Sequence, residues 1–110
     1  MNNRVIKFRA WDESAKMMLY PQDDNGWVSF FIAKLPDIMQ FTGLLSKSGK
    51  EIYEGDIMKT IGKETGKEIV REVKWSNEGA AFYTHRVVGW PAVMVGEIIG
   101  NIKENPSLIQ

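Results

Sequence analysis

Polar and apolar residues alternate near the start of the chain. In Arg4-Val5-Ile6-Lys7-Phe8-Arg9-Ala10-Trp11-Asp12, Ile6, Phe8 and Ala10 share one side and Lys7, Arg9 and Trp11 the other, which predicts a half-buried strand. Asp12-Glu13-Ser14-Ala15-Lys16 is a polar turn, and Met17-Met18-Leu19-Tyr20 returns from it as the second strand of a hairpin. Residues 21–26 hold Pro, Asp, Asn and Gly together and predict a loop. Trp27 to Ala33 is apolar and β-rich, while Pro36-Asp37-Ile38-Met39-Gln40 reads as an irregular segment, with a helical turn at its start as one option, before Phe41-Thr42 extends as strand.

From Gly43 the turn signals become dense. Ser46-Lys47-Ser48-Gly49-Lys50 leads into the strand Glu51-Ile52-Tyr53, and Glu54-Gly55-Asp56 turns into a second strand over residues 57–61. Between Ile61 and Lys74 the pairs Lys63-Glu64, Lys67-Glu68 and Arg71-Glu72 recur every four residues, as on a salt-bridged helix. Gly62, Gly66 and the β-branched Ile69, Val70 and Val73 oppose that reading. A hairpin turning at 62–66 and returning through 69–75 fits better, because a glycine inside a helix costs about 1 kcal/mol relative to alanine. Ser76-Asn77-Glu78-Gly79 turns the chain again and residues 80–84 form a strand. Gly89-Trp90-Pro91 breaks it, and 93–95 with Ile98, Ile99 and Ile102 supply the last apolar stretch. Pro106 stops any strand there, leaving Leu108 and Ile109 to dock on the domain or on a neighbouring subunit.

Short strands separated by turns predict a mainly β fold, a small partly open barrel or SH3-like barrel with an N-terminal β-hairpin and short irregular or helical segments. At 110 residues, with 44% hydrophobic and 25% charged positions, the chain has the size and composition of one globular domain spanning residues 1–110. Fourteen Lys and Arg balance fourteen Asp and Glu, so the strongly basic footprint of a general nucleic-acid binder is missing. No cysteine is present, which excludes disulfides and thiolate chemistry. No apolar run is long enough for a membrane-spanning helix, and Met1-Asn2-Asn3-Arg4 does not open a secretion signal, so a cytoplasmic protein without membrane contact is expected.

Candidate chemistry is sparse. Gly43 to Gly49-Lys50 and Gly62 to Gly66-Lys67 miss the spacing of a phosphate-binding loop, and each continues with glutamate where a hydroxyl should stand. His85 is the only histidine, lacks a catalytic serine motif around it, and reads as a surface residue. The carboxylates Asp23, Asp24, Glu51, Glu54 and Asp56 offer a cation site only in an irregular pattern, and turn carboxylates usually accept backbone N–H bonds. Neither a cofactor nor a metal is expected. Lys7, Arg9 and Trp11 form the sharpest candidate surface, since interleaved cations and aromatics can pair phosphates and stack bases, with Lys59, Lys63 and Lys67 assisting. The alternative is a strand whose Trp11 covers the open end of a barrel while Lys7 and Arg9 stay solvated. Four tryptophans and six methionines raise the expected exposed apolar area, with Trp27, Trp75 and Trp90 as core or interface anchors.

Three blocks resemble the YopX family, small proteins carried by phages and prophages. They are Ile6-Lys7-Phe8-Arg9-Ala10-Trp11-Asp12 with Lys16-Met17-Met18; Met39-Gln40-Phe41-Thr42-Gly43-Leu44 through Ser48-Gly49-Lys50-Glu51-Ile52-Tyr53-Glu54-Gly55-Asp56-Ile57; and Glu97-Ile98-Ile99-Gly100-Asn101-Ile102-Lys103-Glu104-Asn105-Pro106. The resemblance implies a β-rich fold, a phage or prophage origin and a bacterial cytoplasm. It implies no activity, and it transfers no catalytic residue. In physical terms Gly43, Gly49, Gly55 and Gly100 are positions for tight turns or close strand approach, with Asp56 and Asn101 as their hydrogen-bonding partners.

The expectation is therefore a non-enzymatic accessory protein that self-associates or binds a host or phage protein. Single-stranded nucleic-acid binding through Lys7, Arg9 and Trp11 is the alternative, and a metal enzyme using Glu54 and Asp56 ranks third.

Overall fold

The computed structural model of the protein describes residues 6–20, 37–61, 66–78, 80–87, 90–92 and 96–109, with backbone only at 85–87 and 90–92. The expected loop at 21–26, the apolar stretch 27–33, the turn at 62–65 and residues 93–95 lie outside the described residues.

The alternating start becomes β1 (Phe8–Asp12), and a turn leads to β2 (Met17–Leu19). Asp12 Oδ1 organises this turn by accepting the N–H groups of Ser14 and Ala15 at 3.0 and 3.2 Å. The chain continues in β3 (Ile38–Leu45), β4 (Glu51–Tyr53) and β5 (Asp56–Ile61). Ile38, Met39 and Gln40 lie in β3 and pair with Ala10, Arg9 and Phe8, so the irregular stretch expected over these residues is corrected to strand, which begins at Ile38 rather than at Phe41. Cross-strand bonding to β1 outweighs the local turn signal of Pro36-Asp37.

β5 is followed by β6 (Glu68–Glu72), which returns antiparallel to it with Ile57 opposite Glu72 and Ile61 opposite Glu68. The chain turns off that ladder at Val73, whose N–H donates to the Asp56 carbonyl at 2.9 Å. The single return strand expected over 69–75 is thereby divided, its second part being β7 (Lys74–Ser76), which pairs with β8 (Ala81–Tyr83). β9 (His85–Val87) and β10 (Trp90–Ala92) form a further pair. Pro91 therefore sits within a strand rather than breaking one, as the edge of a two-stranded ladder allows. β11 (Glu97–Asn101) pairs with β5 across a bulge at Ile98–Gly100, and Pro106–Ile109 ends in a 3₁₀ turn.

The two larger sheets have orders β2-β1-β3-β4 and β11-β5-β6, in a mainly β domain with a curled half-barrel sheet. Ile52, Met58 and Val73 are fully buried at the core, with Phe82 and Ile98 packed on them. Burying each aliphatic side chain contributes about 1.5–3 kcal/mol. Among the described residues no helix is long and apolar enough to cross a membrane.

Candidate functional site

The structure separates the three side chains of the expected cationic and aromatic face. Arg9 is 3% exposed and Trp11 4%, so both point into the protein, a correction to the solvated Arg9 that alternation predicts. β1 is an interior strand with β2 on one side and β3 on the other, and it buries Arg9, Ala10 and Trp11 in succession. Trp11 Nε1 donates to Glu13 Oε1 at 2.9 Å. Lys7 remains half-exposed, 2.5 Å from Glu51 Oε2 and over the ring of Phe41. Of the assisting lysines, Lys59 pairs with Glu68, Lys63 lies outside the described residues, and Lys67 is exposed just before β6.

Arg9 is instead the centre of a lock. Its Nη2 lies 3.0 Å from Asp56 Oδ1 and donates to the Glu54 carbonyl at 3.1 Å, while the guanidinium lies 4.9 Å from the centre of the Tyr53 ring. Asp56 Oδ2 accepts the Tyr53 N–H at 2.7 Å, closing the turn between β4 and β5. Gly55 takes φ +91° in that turn, which a side chain would strain, and its carbonyl accepts the Ile102 N–H at 2.9 Å. Gly43 and Gly49 also have positive φ.

A second turn closes against the first. Asn101 Oδ1 accepts the N–H groups of Lys103 and Glu104, and the Asn101 N–H donates to Asn105 Oδ1 at 3.2 Å. A Cβ on Gly100 would lie 2.5 Å from that same Asn105 oxygen. Gly55, Asp56, Gly100 and Asn101 thus hold two adjoining turns, and Arg9 ties them to β1.

Electrostatics follow from this burial. Loss of water raises the Asp56 carboxyl above its ordinary value, against the pull of Arg9. Burial beside Glu51 pushes the Tyr53 hydroxyl up to about 12. At the first turn, the Ser14 hydroxyl and backbone N–H bonds lower Asp12, while Lys16 and Trp11 lower Glu13.

An open cleft of about 460 Å³ lies between β4 and β11, lined in part by Arg9, Tyr20, Glu51, Tyr53, Ile98 and Asn101. Its polar groups are largely turned on one another. Glu51 takes Lys7 and the Tyr53 hydroxyl, and Asp56 takes Arg9. The third carboxylate considered for metal or acid–base chemistry, Glu54, accepts the Gln40 N–H at 3.3 Å. Among the described residues no group of three or more His, Cys, Asp or Glu is placed to hold a metal ion. Asp23 and Asp24 lie outside them, and His85 is described in backbone only.

The β3–β4 tip carries a feature that residue types did not reveal. Between the pairs Phe41–Tyr53 and Leu45–Glu51 the register shifts, so β3 holds more chain than the strand it faces. In an unbroken strand Leu45 would share Phe41's buried side. The bulge, with Gly43 at φ +90°, leaves Leu44 43% and Leu45 52% exposed. Beyond them Ser46 is buried and its hydroxyl accepts the Lys50 N–H, while its backbone N–H donates to the Lys50 carbonyl at 2.8 Å. The Lys47 N–H donates to the Gly96 carbonyl, and Ser48 Oγ to Glu97 Oε2 at 3.0 Å, so the turn is pinned to the start of β11. Gly96 was another silent position. A Cβ there would collide with the Lys59 carbonyl.

Residues 22–110 match the profile of the YopX family, described as YopX protein. The chain belongs to the YopX family. Its fold is also similar to the crystal structure of protein EF1440 from Enterococcus faecalis, at 26% identity and TM-score 0.65, over 98% of this chain and 100% of that one. No curated protein matches the chain. YopX is a family of unknown function, and the site therefore has to be read from its own geometry.

Proposed function

We propose that this YopX protein is a non-enzymatic accessory protein of a phage or prophage, acting in the bacterial cytoplasm by contact with a host or phage protein. The observation that carries the reading is the pair of adjacent leucines, Leu44 and Leu45, both exposed by a bulge at the end of a hydrogen-bonded tip. On a strand with one covered face, exposing two neighbouring large aliphatics requires broken alternation, and bulges that re-aim side chains gather at functional surfaces. The non-enzymatic part draws support from Glu51, Glu54 and Asp56, each already engaged by an internal donor.

A tip-to-tip contact between two copies would oppose Lys47 and Lys50 with the same lysines, which favours a different protein as partner. The test is recovery of partners from lysate of a prophage-induced host, with nuclease present, by the wild-type protein and a Leu44→Ser/Leu45→Ser variant of equal thermal stability. The expected result is a partner held by the wild type and lost by the variant. A partner retained in full by the variant, or only a second copy recovered, overturns the reading.

A further inference from the structure

We propose that the tip recognises an acidic protein segment that also carries aliphatic side chains; this rests on the reading of the tip as the contact surface and names its partner's chemistry. Five of the described cations are ion-paired within the chain, Lys7 with Glu51, Arg9 with Asp56, Lys16 with Glu13, Lys59 with Glu68 and Lys103 with Asp37, while Arg71 and Lys74, without such a pair among the described residues, lie on β6 and β7. Lys47 and Lys50 lie at the tip instead. Both are exposed, and neither has an ion-pair partner among the described residues. The carboxylates nearest in the hydrogen-bond network are already used, Glu97 by the Ser48 hydroxyl and Glu51 by Lys7.

Two ammonium groups without an ion-pair partner among the described residues therefore stand within one turn of two exposed leucines. Opposite charge on the incoming segment gives orientation and association rate, and the leucines supply the apolar contact. The turn is also fixed before binding. Ser46 Oγ, the Lys50 carbonyl, the Gly96 carbonyl and Glu97 hold its backbone and Ser48, so little backbone ordering is left to oppose association.

Other classes of partner fit less well. Lipid recognition by charge takes clusters of about four to eight cations, more than this tip provides. Single-stranded nucleic acid needs aromatic stacking surfaces, and residues 44–50 contain none.

The experiment is an NMR titration of the full ¹⁵N-labelled chain with three synthetic extended peptides of equal length. One alternates leucine and glutamate, one leucine and lysine, and one serine and glutamate. The leucine–glutamate peptide should shift the amides of residues 44–50 and bind more tightly than the other two. A Lys47→Ser/Lys50→Ser variant should weaken it by roughly threefold to tenfold, as loss of exposed charge pairs implies, and added salt should do the same. Equal binding of the leucine–lysine peptide, or no effect of the lysine changes, overturns the acidic partner while leaving the leucine surface standing. If no peptide shifts residues 44–50, both this inference and the contact surface fail. Parallel arms use vesicles containing anionic phospholipid and an oligothymidylate. Tighter, lysine-dependent binding of either overturns the assignment to protein.

Discussion

Arg9 on β1 and Asp56 at the head of β5 meet at 3.0 Å with their side chains 3% and 4% exposed. Each is far from neutral as a single site, because removing one member leaves a buried charge unpaired, at a cost of about 3–5 kcal/mol. Arg9→Met and Asp56→Asn should each lower the urea midpoint substantially. The double variant should be more stable than the two separate losses added together, since the amide oxygen of the introduced asparagine can still accept the Tyr53 N–H and no lone charge remains. Strict additivity in that cycle would show that the pair does not act as a unit.

The turn at Asn101 gives a steric counterpart. Gly100→Ala places a Cβ 2.5 Å from Asn105 Oδ1 and must displace the side chain that caps the Asn101 N–H. A loss of about 1–3 kcal/mol is expected from an orphaned buried donor. Adding Asn105→Gly removes the obstructing group, so its further cost in the Gly100→Ala background should be smaller than in the wild type. Equal costs in both backgrounds, measured by urea unfolding, would place the strain elsewhere.

These two locks mark how far the chain could be read in advance. The hairpin of β1 and β2, the turns at 46–50 and 54–55, and the β5–β6 hairpin all follow from local signals, namely alternation and turn chemistry. The facing of β1 does not. Alternation assigns Arg9 to the polar side, but its burial depends on Asp56, distant in sequence, and on β3 covering the strand. Proline signals likewise misled at 38–40 and 90–92, where strand partners decide the conformation. The exposed leucines at 44–45 were invisible because a bulge is a relation between two strands, not a property of either one.

Tyr53 supplies an alkaline test. Burial raises its hydroxyl from 10.0 to about 12, so the folded chain holds that proton where the unfolded chain has released it. The stability it contributes is fully present below pH 10.0 and declines as pH rises toward about 12. Ultraviolet titration should show a phenolate that forms only near the upper value in the native protein, and Tyr53→Phe should remove this step. A Tyr53 phenolate forming at the ordinary value would mean that the ring is not buried as described.

Acid conditions should separate two aspartates by the sign of their effect. Asp12 is lowered below its ordinary 3.8 by the Ser14 hydroxyl and the turn's N–H groups, so its contribution is present above 3.8 and is lost as pH falls through the lowered value. Asp56 is raised by burial, so its titration favours the folded state below 3.8, and that advantage is lost as pH rises through the raised value. The stability gap between wild type and Asp12→Asn should therefore shrink on acidification. The gap to Asp56→Asn should widen between the raised value and 3.8. Urea unfolding of the three proteins from pH 7 to about pH 3 measures both gaps. A gap to Asp56→Asn that shrinks over this range would mean that attraction to Arg9 outweighs the loss of water, and that the lock is a charged pair held at little desolvation cost.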